Sequence, residues 1–321
     1  MIFVYLLLLI GFSALLIKST DILTDSLTEL SKITHMGKFA ITSFLLAFAT
    51  SIPELVVGVT AALEGRPGLA LGAILGSNIA NISLVIGGAT VIGGTLSVAG
   101  DFLKIDIFSV FLAGVLPMML LMDGDLSRVD GLILLFIYGM YNYGLLNKGV
   151  KHSSQPSRIV KKFLQNVVDK RVNRWLAWLF LGAAMLMFSA DMIVKVGSAL
   201  ASSMGVPVFL VGLFLVAVGT SLPELSFEIK AIRKKQSGMA LGDLFGSIVA
   251  NSTLVLGLVS VIAPIKLQNG FNEYLLASAA FGVLFLLFWY FVRSKKKLER
   301  WEGVILLLAY GLFVVAEFWG R

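Results

Sequence analysis

At 321 residues the chain has the length of one or two soluble domains. Its composition excludes that class: 58% of residues are hydrophobic and 14% charged, against about 25% charged in a soluble domain. Cysteine is absent, which removes disulfides, thiol redox chemistry and cysteine-ligated zinc, and the two histidines, His35 and His152, stand apart in polar connections. The net charge of +7 would suit a nucleic-acid binder. Its distribution along the chain instead follows the rule that orients membrane helices, so a bilayer is expected as the partner and no nucleic acid.

Apolar runs near the ~20 residues needed to cross a bilayer recur throughout. They read as ten transmembrane helices at 2–28, 39–62, 68–93, 105–122, 131–147, 175–201, 206–229, 239–264, 271–292 and 302–319. The first run resembles the core of a signal peptide, but it lacks a basic leader and a cleavage site and is read as a span. The connection at 123–130, DGDLSRVD, is acidic. The loop 148–174 is basic, and its stretch 158–172 carries an apolar stripe. That stretch fits either a helix lying on an anionic leaflet or a solvated extension of the sixth span. Trp175, Trp178, Trp301 and Trp319 fall near span ends, where aromatic anchors collect.

Connections after odd-numbered spans hold 20 of the 26 Lys and Arg, and the opposite connections hold 4. This bias puts the odd-span connections in the cytoplasm and both termini outside. Five spans precede the basic loop and five follow it, so the halves insert with opposite orientation. The expected fold class is an all-α membrane protein of two inverted five-helix repeats, at 1–147 and 175–321, joined by the cytoplasmic linker 148–174. The expected location is the cell membrane.

The halves also match in sequence. Residues 49–83 and 219–253 share 14 of 35 positions without a gap, at a constant offset of 170. The shared residues include Thr50/Thr220, Ser51/Ser221, Pro53/Pro223, Glu54/Glu224, Gly72/Gly242, Gly76/Gly246, Ser77/Ser247 and Asn81/Asn251. Ser19 and Asp21 recur at the same offset as Ser189 and Asp191. Self-similarity of this kind marks a duplicated structural unit.

The conserved spacing carries chemistry. Proline lacks a backbone N–H, so Pro53 and Pro223 break their helices and release carbonyls near 47–50 and 217–220. Irregular backbone at membrane depth is tolerated only where it is buried in protein or lines a wet cavity. Glu54 and Glu224 follow each proline. Ser77 and Asn81, like Ser247 and Asn251, share a helix face four residues apart. The small pairs Gly72/Gly76 and Gly242/Gly246 permit close helix approach. Singly, each of these residues has an ordinary packing role, and one buried glutamate could pair with Lys18 or Lys195. Together and in duplicate they make an all-oxygen donor set suited to Ca²⁺ or Na⁺, with Mg²⁺ third because it dehydrates reluctantly.

The pattern G-T-S-x-P-E followed by G-x-x-x-G-S-x-x-x-N resembles the α-repeats of the calcium/cation antiporter superfamily, typified by sodium/calcium exchangers. The resemblance covers essentially the whole chain. It implies Glu54 and Glu224 as central Ca²⁺ ligands, completed by the Thr50 and Thr220 carbonyls. It implies that Ala47, Ala217, Ser51, Ser77, Ser221 and Ser247 line flanking Na⁺ sites and that Asn81 and Asn251 form the central polar pair. The chain departs from the pattern at Ala49, which replaces a glycine, and at Ile248, which stands opposite Asn78. Asn251 replaces an aspartate found in some prokaryotic members. Asp243 and Glu228 face Ala73 and Gly58 in the other repeat. These two acids form either an acidic vestibule or ion pairs with the 230–235 bases.

The expected function is exchange of Ca²⁺ for Na⁺ by alternating access, with protons as the alternative counter-ion. No cofactor and no enzymatic step are expected, and no Walker-type loop is present. A channel would not need duplicated, charge-balanced sites. The G-x-G-D signature of an intramembrane aspartyl protease fails at Ala240.

Overall fold

A computed structural model describes residues 2–33, 51–98, 106–149, 170–267 and 272–319. Ala47, Thr50 and the first half of the second expected span lie outside the described residues, as does most of the 158–172 stretch.

Helix α1 (Ile2–Ile33) packs lengthwise against α6 (Lys170–Met204), the two being equivalent elements at the repeat offset. Next come α2 (Ile52–Leu63) and α3 (Pro67–Gly93), matched in the second half by α8 (Leu222–Arg233) and α9 (Ser237–Ile262). Helix α4 (Asp106–Leu120) tightens into a 3₁₀ turn over Leu121–Asp123, and α5 (Arg128–Gly149) follows. Helix α7 occupies 208–220, and α10 (Asn272–Lys295) and α11 (Arg300–Trp319) close the chain. Among the described residues, seven helical stretches are long and apolar enough to cross a membrane. Two shorter apolar helices, Ile52–Leu63 and Ile107–Asp123, accompany them.

The hairpins α2–α3 and α8–α9 close in the same way. Arg66 N–H donates to the Ala61 carbonyl at 2.8 Å, and Gln236 N–H to the Ala231 carbonyl at 2.8 Å. This closure demands a left-handed residue at the turn. Gly65 takes it at φ +69°, and its counterpart Lys235 takes it at φ +57° without glycine's freedom.

Two short antiparallel ribbons tie the halves together. β1 (Leu96–Ser97) pairs with β4 (Lys297–Leu298), and β2 (Asp125–Leu126) with β3 (Ile265–Lys266). Each ribbon takes one strand from each half.

The centre belongs to α3, which is buried along nearly its whole length. A Cβ at Gly72 would fall on the Phe209 carbonyl, one at Gly76 on the Leu213 carbonyl, and one at Gly212 on the Leu69 carbonyl. The close approach expected of Gly72 and Gly76 is therefore a crossing of α3 and α7 backbone on backbone. By the offset of 170, the partners of Gly242 and Gly246 would fall at 39 and 43, outside the described residues. Helix α9 packs against α2 and α5, as α3 packs against α8 and α11.

Candidate cation site

Proline shapes the site first. The α7 helix stops at Ser221 (φ −86°, ψ 2°), and α8 restarts with Pro223 in its first turn. Ser51 has the same conformation (φ −85°, ψ 0°) before α2 and Pro53. The expected interruption is thus present on the described side of both repeats. It places Glu54 and Glu224 in the first turns of two helices, where N-terminal backbone N–H groups favour a carboxylate.

The two glutamates meet in the interior. Each is 2% exposed, and when both are ionised their charges oppose one another. Ser77 Oγ donates to Glu54 Oε1 at 3.3 Å and lies 3.2 Å from Thr220 Oγ1. Ser51 Oγ donates to Ser247 Oγ at 3.4 Å. Each contact joins separate helices, and two of them join the two halves. Thr220 Oγ1 also contacts the Ala217 carbonyl at 3.2 Å, which in addition accepts the Ser221 N–H at 3.0 Å. That carbonyl therefore already has two donors in this conformation.

Much of the remaining polarity has no hydrogen-bond partner among the described residues. Glu54 Oε2, both oxygens of Glu224, Ser221 Oγ, and both side-chain polar atoms of Asn81 and of Asn251 are buried without a hydrogen bond. Buried polar groups are normally paired, and each that is not costs about 1–3 kcal/mol. No Lys or Arg is buried among the described residues. Lys195 sits 2.9 Å from Asp191 and 3.9 Å from Glu64, and is paired with neither Glu54 nor Glu224; Lys18 is exposed. A pairing of Lys195 with Glu54 or Glu224 is thereby excluded. An oxygen-rich interior with no buried base among the described residues matches a hard cation in donor type. Among the described residues no three His, Cys, Asp or Glu converge as a metal cluster. Any ion held here would rely on the carboxylate pair plus neutral oxygens.

Of the twelve expected site residues, Glu54, Glu224, Ser51, Ser77, Thr220, Ser221, Ser247, Asn81, Asn251 and Ala217 are all buried; Ala47 and Thr50 lie outside the described residues.

Three features were not anticipated. Helix α3 widens into a π turn over Asn81–Val85, and α9 over Ala250–Val255, the same place at the repeat offset. Such turns are frequent at functional sites, and these carry Asn81 and Asn251. Ser83 and Thr253, hydroxyls at equivalent positions, bond the Ile79 and Val249 carbonyls. Those recurring hydroxyls were the available signal. The third feature is Asn78 Nδ2, which donates to Ser252 Oγ at 2.7 Å across the halves. The equivalent positions are Ile248 and Ile82. A polar pair that spans the two halves thus corresponds to isoleucines at both repeat-equivalent positions, which accounts for the departure at Ile248.

The acids with an open role are also placed. Glu228 is 1% and Asp243 2% exposed. No ion pair joins Glu228 to the 230–235 bases, and its two oxygens have no hydrogen-bond partner among the described residues.

A family model described as sodium/calcium exchanger protein matches residues 4–147 and 174–319. The putative antiporter CaxA of Alkalimonas amylolytica is 32% identical over 301 residues, covering 92% of this chain and 93% of its own. The sodium/calcium exchanger MaX1 of Methanosarcina acetivorans is 26% identical, with 98% of both chains covered. The inner membrane protein YrbG of Escherichia coli is 28% identical, covering 98% of this chain and 96% of its own. A solved structure of the sodium-calcium exchanger NCX_Mj soaked with Na⁺ and Ca²⁺ superposes with a TM-score of 0.63 at 26% identity, covering 97% of this chain and 96% of that one. One soaked with Na⁺ and Sr²⁺ gives 0.66 at 25% identity, covering 96% and 98%.

Proposed function

Because the chain belongs to the sodium/calcium exchanger protein family, a family of cation transporters, we propose that it is a secondary antiporter exchanging Ca²⁺ for Na⁺ at the Glu54–Glu224 pair. The observation that carries this reading is the burial of two carboxylates, one from each half, with no buried base among the described residues.

The physics of exchange follows from charge. Two ionised glutamates carry about −2, and moving that charge bare through a closed, low-dielectric state costs several kcal/mol per ion. One Ca²⁺ removes it, as do two Na⁺ or two protons. Loaded forms therefore convert between inward- and outward-open states, and the empty form does not. Exchange becomes obligatory without any covalent step, and we assign the chain no enzymatic activity and no cofactor.

In this reading Thr50 and Thr220 contribute to the central site, with Asn81 and Asn251 beside it. Ser51, Ser77, Ser221, Ser247, Ala47 and Ala217 line the Na⁺ positions. The interrupted helices, with dipole ends and loosened backbone at the midplane, belong to the inverted-repeat transporter plan. We accordingly propose ten spans in two inverted halves, 1–147 and 175–321, with the linker 148–174 in the cytoplasm and both termini outside a cell membrane.

The counter-ion is assigned to Na⁺ because both flanking serine pairs are present. The test is ⁴⁵Ca²⁺ uptake into proteoliposomes with Na⁺ and pH gradients imposed separately. Uptake should follow the Na⁺ gradient at fixed pH. Uptake that follows only the pH gradient would transfer the assignment to protons, and uptake with neither gradient would refute antiport.

A further inference from the structure

We propose that Glu228 and Asp243 form a second hard-cation subsite, lying between the central glutamate pair and the 234–236 turn and present in the C-terminal half alone. The inference deepens the antiport reading and rests on it.

Position comes from the helix register. Helix α8 runs from the Ser221 break toward the turn, and Glu228 lies one helical turn, about 5–6 Å, beyond Glu224. Helix α9 returns from the turn, and Asp243 lies one turn before Ser247. The two acids are thus level with each other on neighbouring helices of one hairpin. Glu228 interacts electrostatically with Asp243, and both interact with Glu224. Both side chains are at least 98% buried.

A purely structural acid would have a partner. Both Glu228 oxygens are buried without one among the described residues. Lys230, Arg233, Lys234 and Lys235, the nearest bases in sequence, are all exposed. An unpaired buried carboxylate is strongly disfavoured unless a cation or proton joins it.

The other half shows that the room was made on purpose by the sequence. Gly58 and Ala73 occupy the equivalent positions. A Cβ at Gly58 would meet Val255 Cγ1 at 2.9 Å, Val259 Cγ2 at 3.3 Å and Ile74 Cδ1 at 3.7 Å, so that side is closed by apolar groups. The counterparts of these three residues are Val85, Ala89 and Leu244. Valine at 259 has become alanine at 89 just where glycine at 58 has become glutamate at 228. Lost volume and added carboxylate coincide, and helix α8 packs against the segment that carries Ala89. The two ends of the pathway are therefore chemically unlike. One is sealed by Val255 and Val259, and the other is lined by two acids with oxygen donors suited to Ca²⁺.

The experiment is equilibrium binding of ⁴⁵Ca²⁺ to the full chain in nanodiscs at fixed pH, without Na⁺. The unaltered chain should bind Ca²⁺ in two steps. The double variant Glu228→Gln/Asp243→Asn should bind one Ca²⁺ fewer and keep the step that Glu54→Gln/Glu224→Gln abolishes. Equal stoichiometry in the unaltered chain and Glu228→Gln/Asp243→Asn would overturn the subsite, as would a change confined to proton release. Retention of both steps by Glu54→Gln/Glu224→Gln would instead sink the central-site reading. If the double variant is not monodisperse, the single variants decide: each should weaken the second step at least tenfold, and an unaltered second step in both overturns the proposal.

Discussion

Replacing Glu224 by glutamine keeps the shape of the side chain and removes one charge. Both Glu224 oxygens are buried without a hydrogen-bond partner among the described residues, and when ionised Glu54, Asp243 and Glu228 oppose its charge. In cation-free buffer the variant should be at least as stable as the unaltered chain, because a mutual repulsion is relieved. Added Ca²⁺ should reverse the order. A ligand at 100 times its Kd stabilises the folded state by about 2.7 kcal/mol. Losing one charged partner of a buried pair costs roughly 2–5 kcal/mol of binding, which is roughly 30- to 5,000-fold in Kd. At the same Ca²⁺ concentration the variant then gains less than about 0.9 kcal/mol. At about 2–4 °C per kcal/mol, the unaltered chain should melt about 5–10 °C higher with Ca²⁺ than with chelator, and the variant no more than about 3 °C higher. Thermal melts followed by fluorescence-detected size exclusion read both numbers. An equal Ca²⁺-dependent shift in the two proteins would refute a site built on Glu224.

Gly76→Ala should lower the melting temperature in detergent by the equivalent of about 1–3 kcal/mol, because the new methyl meets the Leu213 carbonyl and lies 2.6 Å from Ala217 Cβ, neither of which can swing away. Gly88→Ala is the control: its methyl meets only Leu225 Cδ1 at 3.4 Å, so stability should hold or rise. At the α10–α11 connection, Lys297, then Trp301 and Lys295, hold the Glu299 carboxyl down at about 2 from a usual 4.5. Its folded-state pKa is depressed, so its contribution is complete above about 4.5 and is lost as pH falls toward about 2. Trp301 Nε1 donates to Glu299 at 2.9 Å, so the indole emission should change over that acid range and lose the change in Glu299→Gln.

The fold was legible where a pattern repeats. Apolar runs located the helices to within a few residues: the stretch read as 68–93 is Pro67–Gly93. Pro223 marked the break between α7 and α8, and Pro53 the start of α2, because a missing N–H is a local property. The offset of 170 paired Glu54 with Glu224 before any coordinates, since duplicated residues in equivalent helices face equivalent surroundings. The π turns after Ala80 and Val249 were not legible, because a wider turn leaves no change in apolar period over so few residues. Nor was the Asn78–Ser252 bond, whose partners lie 174 residues apart on different helices.

Taken alone, the order of residues determined the membrane class, the duplication and the candidate carboxylates, because hydropathy, proline geometry and internal identity act over short distances or are counted directly. Tertiary structure decided which of those groups meet. It put Ser77 between Glu54 and Thr220, gave Lys195 to Asp191 and left Glu224 and Glu228 without a base among the described residues. Those outcomes depend on how two helix hairpins cross, and a crossing is set by glycine contacts such as Gly72 on Phe209, which no stretch of chain contains by itself.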